Sequence, residues 1–587
     1  MALTNQQVAT KLEEIGTLMR LAGENEFRAR AFDNAARTIE SLHDDISTYI
    51  KDRSLTKIKG IGKSIAEDIY NLAETGSIPV LVDLHKRVPE ELIKWLDISG
   101  MGPKKVYKIH KELNITTIDE LKEKVKDGSV AKLSGLGEKS AEKIMKSIEW
   151  MEKFSERCLI SEAMEIAEPM YGFMKKQKGV ESIDIAGSLR RRLETIGDID
   201  ILVGAQSEHV SKLFDAFTGH ELVTEILGRG ETKSSIRTES GRQVDLRVVK
   251  PEQFPAALMY FTGSKEHNVV LRQRARERGM SLNEYGLFKL SEKGDTDFDQ
   301  PVSYTSEEDI YKKLDLHFIP PELREDMGEF RFFEKNEKAD LVEENQLRGI
   351  LHAHSTWSDG KFSIREMAEA CIERGYEYLG LTDHSKTAAY AGGLTVDDLK
   401  RQWDEVDKLN EEYAKRDKPF RILKGTESDI LSDGSLDYPD DILEQFELVV
   451  ASVHASLDMP REKMMDRFRN AIKNPFTRIV GHPTTRLLLR RGASDMDMNE
   501  LIELAAEHDT AIEVNANPHR LDLDWRHGRK AKEVGMMSAI CPDAHTIDGL
   551  DDVRYGVYIA RKGWFGPDRI LNTKSVDDLL AWLKDRN

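Results

Sequence analysis

The chain has 587 residues, 39% of them hydrophobic and 33% charged, with a formal net charge of -19. That length allows about three or four domains of roughly 150 residues each, and the acidic balance excludes an extended basic surface for bulk phosphate binding while leaving local and backbone-amide contacts open. Three widely separated cysteines (Cys158, Cys371, Cys541) exclude a disulfide framework or a cysteine-rich zinc finger, and the absence of a long apolar run or an apolar leader predicts no membrane span, no export signal and a cytoplasmic chain.

In chain order, the first feature is a repeat. "IKGIGKSIAEDIYNLAETG" from Ile58, "ISGMGPKKVYKIHKEL" from Ile98 and "LSGLGEKSAEKIMKSI" from Leu133 each run apolar, polar, Gly, apolar, Gly and then an amphipathic helix. Two glycines permit a tight turn, and the helix behind it begins with free amide N–H groups. Such a loop offers backbone donors and a helix dipole to a phosphate without any side-chain charge. The alternative for a single copy is a glycine cap between two packed helices, and three copies argue against it. The pattern resembles the helix-hairpin-helix motif, which places Gly60, Gly62, Gly100, Gly102, Gly135 and Gly137 against nucleic-acid backbone, positioning it without reading sequence.

Next, "VESIDIAGSLRRRLETIGDIDILVG" (180–204) and "RQVDLRVV" (242–249) contain three short apolar runs that read as strands, "IDIAGS" and "IDILVG" as buried ones. Asp198 and Asp200, two apart, project from one face of the second. Asp245 lies on the third. Three carboxylates brought together repel unless divalent cations fill the gap, the arrangement that two-metal phosphoryl transfer uses. Gly187 and Ser188, followed by Arg190 and Arg191, form a small-residue turn ending in guanidinium groups suited to phosphate oxygens.

With "ALMYFTGSKEHNVVLRQRARERGMSLNEYGLF" (257–288) added, residues 1 to about 330 resemble a family X DNA polymerase of the polymerase beta type. The resemblance implies that Asp198, Asp200 and Asp245 bind two Mg²⁺ or Mn²⁺ ions and catalyse nucleotidyl transfer. It puts Gly187, Ser188 and Arg191 on the incoming triphosphate. Tyr260, Phe261 and Gly263 become the turn that senses the sugar, Asn268 approaches the new base pair and Arg272 the template. In the beta branch, a lysine after the first hairpin attacks a 5′-deoxyribose phosphate through an imine. Here that position is Asp68, which cannot form one. Arg28, in "NEFRARAF", is a candidate for a 5′-phosphate at a gap.

The charged stretch Phe332–Asn345 reads as a linker. From Leu347 onward, short apolar runs alternate with helical patterns, as in parallel βα units, and successive runs end in metal-type residues. The nine are His352, His354, Asp359, His384, Glu427, His454, His482, Asp543 and His545. This set resembles the PHP (polymerase and histidinol phosphatase) domain, a distorted (βα)7 barrel. The resemblance implies up to three Mn²⁺ or Zn²⁺ ions: one on His352, His354, Glu427 and Asp543, one on Glu427, His454 and His482, and one on Asp359, His384 and His545. Mixed imidazole and carboxylate ligands suit those ions, and clustered ions acidify a bound water. Arg520 is a candidate phosphate contact, while His508, His519 and His527 stand outside the pattern.

The expected architecture is therefore multidomain: a helix-hairpin-helix α-helical region (1–84, then a fingers-like 85–152), an α+β nucleotidyltransferase palm (153–250) and thumb-like region (251–330), a linker (331–346) and an α/β PHP barrel (347–587). The expected function is template-directed gap filling on gapped or primer-template DNA with dNTPs, by a monomer, joined to a phosphoesterase that removes nucleotides from 3′ ends or processes abasic sites. Two alternatives stand beside it. The barrel could hydrolyse a small phosphomonoester or pyrophosphate, or the whole could be a DNA-end scaffold.

Overall fold

The computed structural model describes residues 3–40, 42, 46–98, 100–153 and 157–585. The chain divides into two compact units, Met1–Ser155 with Leu489–Gly492, and Glu156–Leu488 with Ala493–Asn587.

The first unit is helical among its described residues. Its opening helix, Asn5–Leu21, starts at a capping box in which Thr4 and Gln7 satisfy each other's amides. The three glycine motifs fold alike. In each, the residue between the glycines donates its N–H to the carbonyl three back: Ile61 to Ile58 (3.1 Å), Met101 to Ile98 (3.0 Å) and Leu136 to Leu133 (2.9 Å). Gly60, Gly100 and Gly135 take φ of 97°, 84° and 79°, a region that other residues enter only at a cost. Helices Lys63–Thr75, Pro103–Leu113 and Glu138–Lys153 follow at once. Ile65, Ile69 and Leu72, at helical spacing, bury the inner face of the first of them. Ser99 of the second motif lies outside the described residues.

The second unit begins with a five-stranded sheet in the order Ser182–Ile185, Asp198–Gly204, Gln243–Val249, Lys233–Thr238, Val223–Arg229. Asp198–Gly204 and Gln243–Val249 run parallel with Asp200 opposite Asp245, and the other pairs are antiparallel. Period-two alternation sends Ile199, Ile201 and Val203 into the core and leaves Asp198 and Asp200 on the other face. Ser182–Ile185 is half-buried, where "IDIAGS" predicts a buried strand, because it forms the sheet edge and has a neighbour on one side only. Helices Phe254–Thr262 and Lys265–Glu277 and a three-stranded antiparallel sheet follow.

The C-terminal part is a seven-stranded, wholly parallel sheet in chain order: Gly349–Ala353, Tyr378–Leu381, Arg421–Asp429, Leu448–Ser452, Ile479–Val480, Ala511–Asn515 and Ser538–Cys541. A parallel bridge between Ala353 and Ala544 brings its ends together, with the His354 N–H donating to the Ala544 carbonyl at 2.9 Å. Neighbouring residues divide between two cores. Leu351, Leu423, Val450 and Ala539 belong to one hydrophobic cluster, and Ile350, Ile422, Val449 and Ile540 to the helix-covered one. The segment expected to be a linker is not a free tether. Phe333 and Val342 are fully buried, Val342 donates to the Phe565 carbonyl (3.0 Å), and Phe332 stands edge-on to Trp564 (5.2 Å). Its charges masked the apolar residues that dock it.

Candidate functional site

The strand register assembles the first site. Asp198, Asp200 and Asp245 bring carboxylate oxygens within 4.8 Å of one another, with Asp198 exposed and Asp245 2% exposed. Burial, then the charges of Asp198 and Asp245, push Asp200 up to about 7, so this arrangement of charges favours a cation. Lys233, on the neighbouring strand, meets Asp245 at 2.6 Å. Gly187 turns away at φ +64°, and a Cβ there would lie 2.6 Å from the Asp200 carboxylate. Only glycine lets the turn approach that carboxylate.

Ser188 sits in the short helix Gly187–Arg190, and both arginines behind it have partners within the protein, although no described hydrogen bond engages Nη2 of Arg191. Arg190 grips Glu307 (2.6 Å) and Thr262 Oγ1 (2.7 Å), and Arg191 donates through Nε to Glu325 (3.0 Å) and through Nη1 to the Thr262 carbonyl. Both therefore tie the phosphate-type turn to the end of Phe254–Thr262, where Tyr260 and Phe261 meet edge to face at 5.2 Å. Arg247 lies 4.3 Å over the Phe261 ring. Asn268 donates to the Tyr260 carbonyl (2.7 Å), and Gly263, at φ +72°, ends that helix. Arg272 is exposed, with no ion pair among the described residues.

All nine barrel positions converge on the end of the barrel where its parallel strands finish. Glu427 is central and 1% exposed. His482 Nε2 lies 2.9 Å from it, His384 Nδ1 3.0 Å, His454 Nε2 3.3 Å, His352 Nε2 3.6 Å and His354 Nε2 3.7 Å. Asp543 stands 3.2 Å from His354 and 3.5 Å from His352, and Asp359 3.3 Å from His545 and 3.6 Å from His384. His384 thus faces both Glu427 and Asp359, and His354 both Asp543 and Asp359, so the groups overlap where the sequence expectation separates them. His482 enters through Glu427.

Buried polar atoms without hydrogen-bond partners test the fit to metal. They include His352 Nε2, His354 Nδ1 and His482 Nδ1, and also His384 Nδ1 and Glu427 Oε2, which lie 3.0 Å apart without the alignment of a hydrogen bond. Orphans of this kind in one place are costly unless something binds them. Burial and its imidazole neighbours His545 and His384 push His354 down to about 3, leaving it neutral. Against burial, Glu427 and Asp429 raise His454 to about 10. A cation would replace those protons, because neutral imidazole and ionised carboxylate are the ligand forms. Zn²⁺ or Mn²⁺ fits the donor set.

The outer partners are residues that the sequence reading missed. Glu513 accepts the His482 backbone N–H (2.6 Å) and lies 2.6 Å from His352 Nδ1, and Asp429 lies 2.6 Å from His454 Nδ1. Such carboxylates fix ring orientation and tautomer. Spacing could have found Asp429, which stands two residues from Glu427 and so shares its face. Asn515 donates to Asp543 (3.2 Å), and Arg520 Nε stands 3.8 Å from the same carboxylate.

Among the hairpin motifs, a Cβ built on Gly62, Gly102 or Gly137 would meet nothing within 4 Å. The protein's own packing does not require these glycines. Arg28 is exposed and bonded to Glu24 (3.2 Å); burial raises the half-buried Asp68 carboxyl above its usual range, and the Arg28 charge offsets only part of that.

Fold and clusters together define a nucleotidyltransferase joined to a metal-dependent phosphoesterase barrel. Family models match as helix-hairpin-helix domain over residues 3–78, SAM-like helix-hairpin-helix tandem over 90–149, DNA polymerase beta thumb over 257–325 and PHP domain over 351–517. The chain is 41% identical over 575 residues to the DNA polymerase/3′-5′ exonuclease PolX of Bacillus subtilis, covering 98% of each. It is 25% identical over 342 residues to DNA polymerase lambda of Rattus norvegicus (55% of this chain, 56% of that protein). A 263-residue match at 28% identity, spanning 41% of this chain and 93% of the other, is to a protein named a probable phosphatase in Caldanaerobacter subterraneus. The chain belongs to family X of the DNA polymerases, in the group that carries a PHP domain.

Proposed function

We propose that the chain extends and shortens DNA at two separate sites: template-directed gap filling from dNTPs at the aspartate cluster, and 3′–5′ exonucleolysis at the barrel cluster. The observation that carries the second half is the set of orphaned imidazole and carboxylate atoms around Glu427. Asp198, Asp200 and Asp245 hold two Mg²⁺ or Mn²⁺ ions, and the nine barrel ligands hold up to three Mn²⁺ or Zn²⁺. When bound, these cations neutralise phosphoryl oxygens and acidify water or the attacking hydroxyl.

The chain's own residues do the rest. Gly187 admits the substrate turn to the carboxylates, and Ser188 with Arg191 receives the triphosphate. The Asn268–Tyr260 hydrogen bond holds the sugar-sensing turn of Tyr260, Phe261 and Gly263. Asn268 also faces the base pair, while exposed Arg272 reaches for the template. Gly60, Gly62, Gly100, Gly102, Gly135 and Gly137 seat backbone phosphates of gapped DNA, with Arg28 at its 5′-phosphate. Asp68 leaves no imine-forming group at that position. The protein works as a monomer, and no described helix is long and apolar enough to cross a membrane.

The similarity to proteins named probable phosphatases favours a second reading, hydrolysis of a small phosphomonoester by the barrel. Asp198→Ala/Asp200→Ala protein incubated with end-labelled primer and Mn²⁺ separates the two. Shortening without extension is expected. An intact primer, with a small phosphomonoester hydrolysed, would replace the exonuclease reading by the other.

A further inference from the structure

The turn that connects the Gly187–Arg190 helix to the strand Asp198–Gly204 is held largely from outside the palm. Lys562, the last residue of the barrel helix Val553–Lys562, is 1% exposed. Its ammonium donates to the Arg191 carbonyl (3.1 Å), the Glu322 carbonyl (3.1 Å) and Glu325 Oε1 (2.6 Å). All three of its protons are therefore used. The same Glu325 oxygen accepts from Arg191 Nε at 3.0 Å. One residue on, the Arg192 guanidinium lies 4.1 Å over the ring of Tyr558, from the same barrel helix. Glu194, 7% exposed, accepts from Trp525 Nε1 (3.1 Å) and Arg526 (3.2 Å), with Arg486 at 3.7 Å, all three from the barrel.

A buried lysine costs desolvation that a well-packed apolar side chain would avoid, so adhesion alone does not call for one here. What the ammonium adds is direction. It fixes the Arg191 main chain and the carboxylate that aims the Arg191 guanidinium, and no described hydrogen bond engages Nη2 of that group. We propose that the barrel completes the polymerase site: Lys562, supported by Trp525 on Glu194, is a positioning residue that presets the triphosphate-binding turn, so that dNTP binding depends on barrel residues remote in sequence from the barrel's own ligands. The inference rests on the assignment of Ser188 and Arg191 to the triphosphate.

The test uses the full-length chain in steady-state filling of a one-nucleotide gap with Mg²⁺. Lys562→Met should raise KM for dNTP about tenfold, as expected when a contact group is displaced, and change kcat far less. Exonuclease activity should match the parent. A purely adhesive lysine would not produce that split, and a parent-like KM in a folded Lys562→Met protein overturns the proposal. If Lys562→Met lowers the melting temperature or the exonuclease rate, Trp525→Phe decides, since it removes the hydrogen bond to Glu194 and shrinks the ring that the Lys562 ammonium overlies at 4.3 Å: a raised KM supports the proposal and an unchanged one overturns it. Arg191→Lys separates the two levels. An unchanged KM there sinks the triphosphate assignment, whereas a raised KM there with parent-like Lys562→Met and Trp525→Phe overturns the positioning role alone.

Discussion

Glu513 is the sharpest probe of the barrel. It is fully buried, and it meets three groups at once: His352 Nδ1 at 2.6 Å, the His482 N–H at 2.6 Å and Asn515 Nδ2 at 3.2 Å. It touches two ligand residues without being counted among the nine. Glu513→Gln keeps the shape and removes one negative charge from behind His352, whose proton affinity is held well above the usual range, against burial, by Glu513 first, then Asp543 and Glu427. Losing such an outer partner weakens metal affinity about 10–100-fold, or about 1.4–2.7 kcal/mol. The assay is a Mn²⁺ titration of exonuclease rate on metal-stripped protein. The midpoint should move up by that factor, the plateau should recover at saturating metal, and primer extension in Mg²⁺ should stay at the parent level. Glu513→Ala should do more, because it strands the His482 amide and the His352 ring, and a stability loss of about 3–5 kcal/mol is expected in denaturant unfolding. A Glu513→Gln midpoint within twofold of the parent would refute the idea that this carboxylate tunes the ligand set.

Four further outcomes are expected. Gly187→Ala should nearly abolish extension and leave shortening intact in a primer assay, because its Cβ would press on Asp200 at 2.6 Å from a left-handed backbone. Gly62→Ala, Gly102→Ala and Gly137→Ala should leave melting unchanged or slightly raised yet weaken gapped-DNA binding in titrations, since their Cβ atoms would meet nothing within the protein. Tyr390 is 73% exposed, with its ring 6.3 Å from His384 and 6.4 Å from His454. Stacking on a terminal base predicts that Tyr390→Ala, but not Tyr390→Phe, raises the exonuclease KM by about 1–3 kcal/mol in binding terms. Burial alone would raise Glu307, but Arg324 and Arg190 outweigh it and hold it at about 2. Because the folded value lies below the unfolded one, its stabilisation is complete above about pH 4.5 and fades toward pH 2, worth about 3 kcal/mol at neutrality. Glu307→Gln should flatten that part of the stability profile.

Groups fixed by strand parity were the legible ones. Asp198 and Asp200 share a face because a strand repeats every two residues, and the barrel ligands stand at the finishing ends of parallel strands. Each is a local rule applied to a short run. Groups fixed by distant partners were not legible. Arg190 and Arg191 look like phosphate ligands in sequence, yet their nearest charges are Glu307 and Glu325, more than a hundred residues away. Lys233 stands opposite Arg247 and reaches Asp245 diagonally across two aligned strands, and no spacing announces it. The stretch Phe332–Asn345 reads as a tether because its charges outnumber the apolar residues that bury it. The division of the barrel ligands among ions, too, is a three-dimensional matter: His354 faces three carboxylates and His384 two, which a linear pattern cannot express.

The central claim is that one chain makes and breaks phosphodiesters at two independent sets of residues. The most direct measurement is a reciprocal pair, Asp200→Asn and Glu427→Gln, each incubated with the same end-labelled gapped DNA, with and without dNTPs. Asp200→Asn should shorten the primer and fail to extend it, and Glu427→Gln should extend it and fail to shorten it. Loss of both activities in either folded variant, or full shortening by Glu427→Gln, would contradict the account.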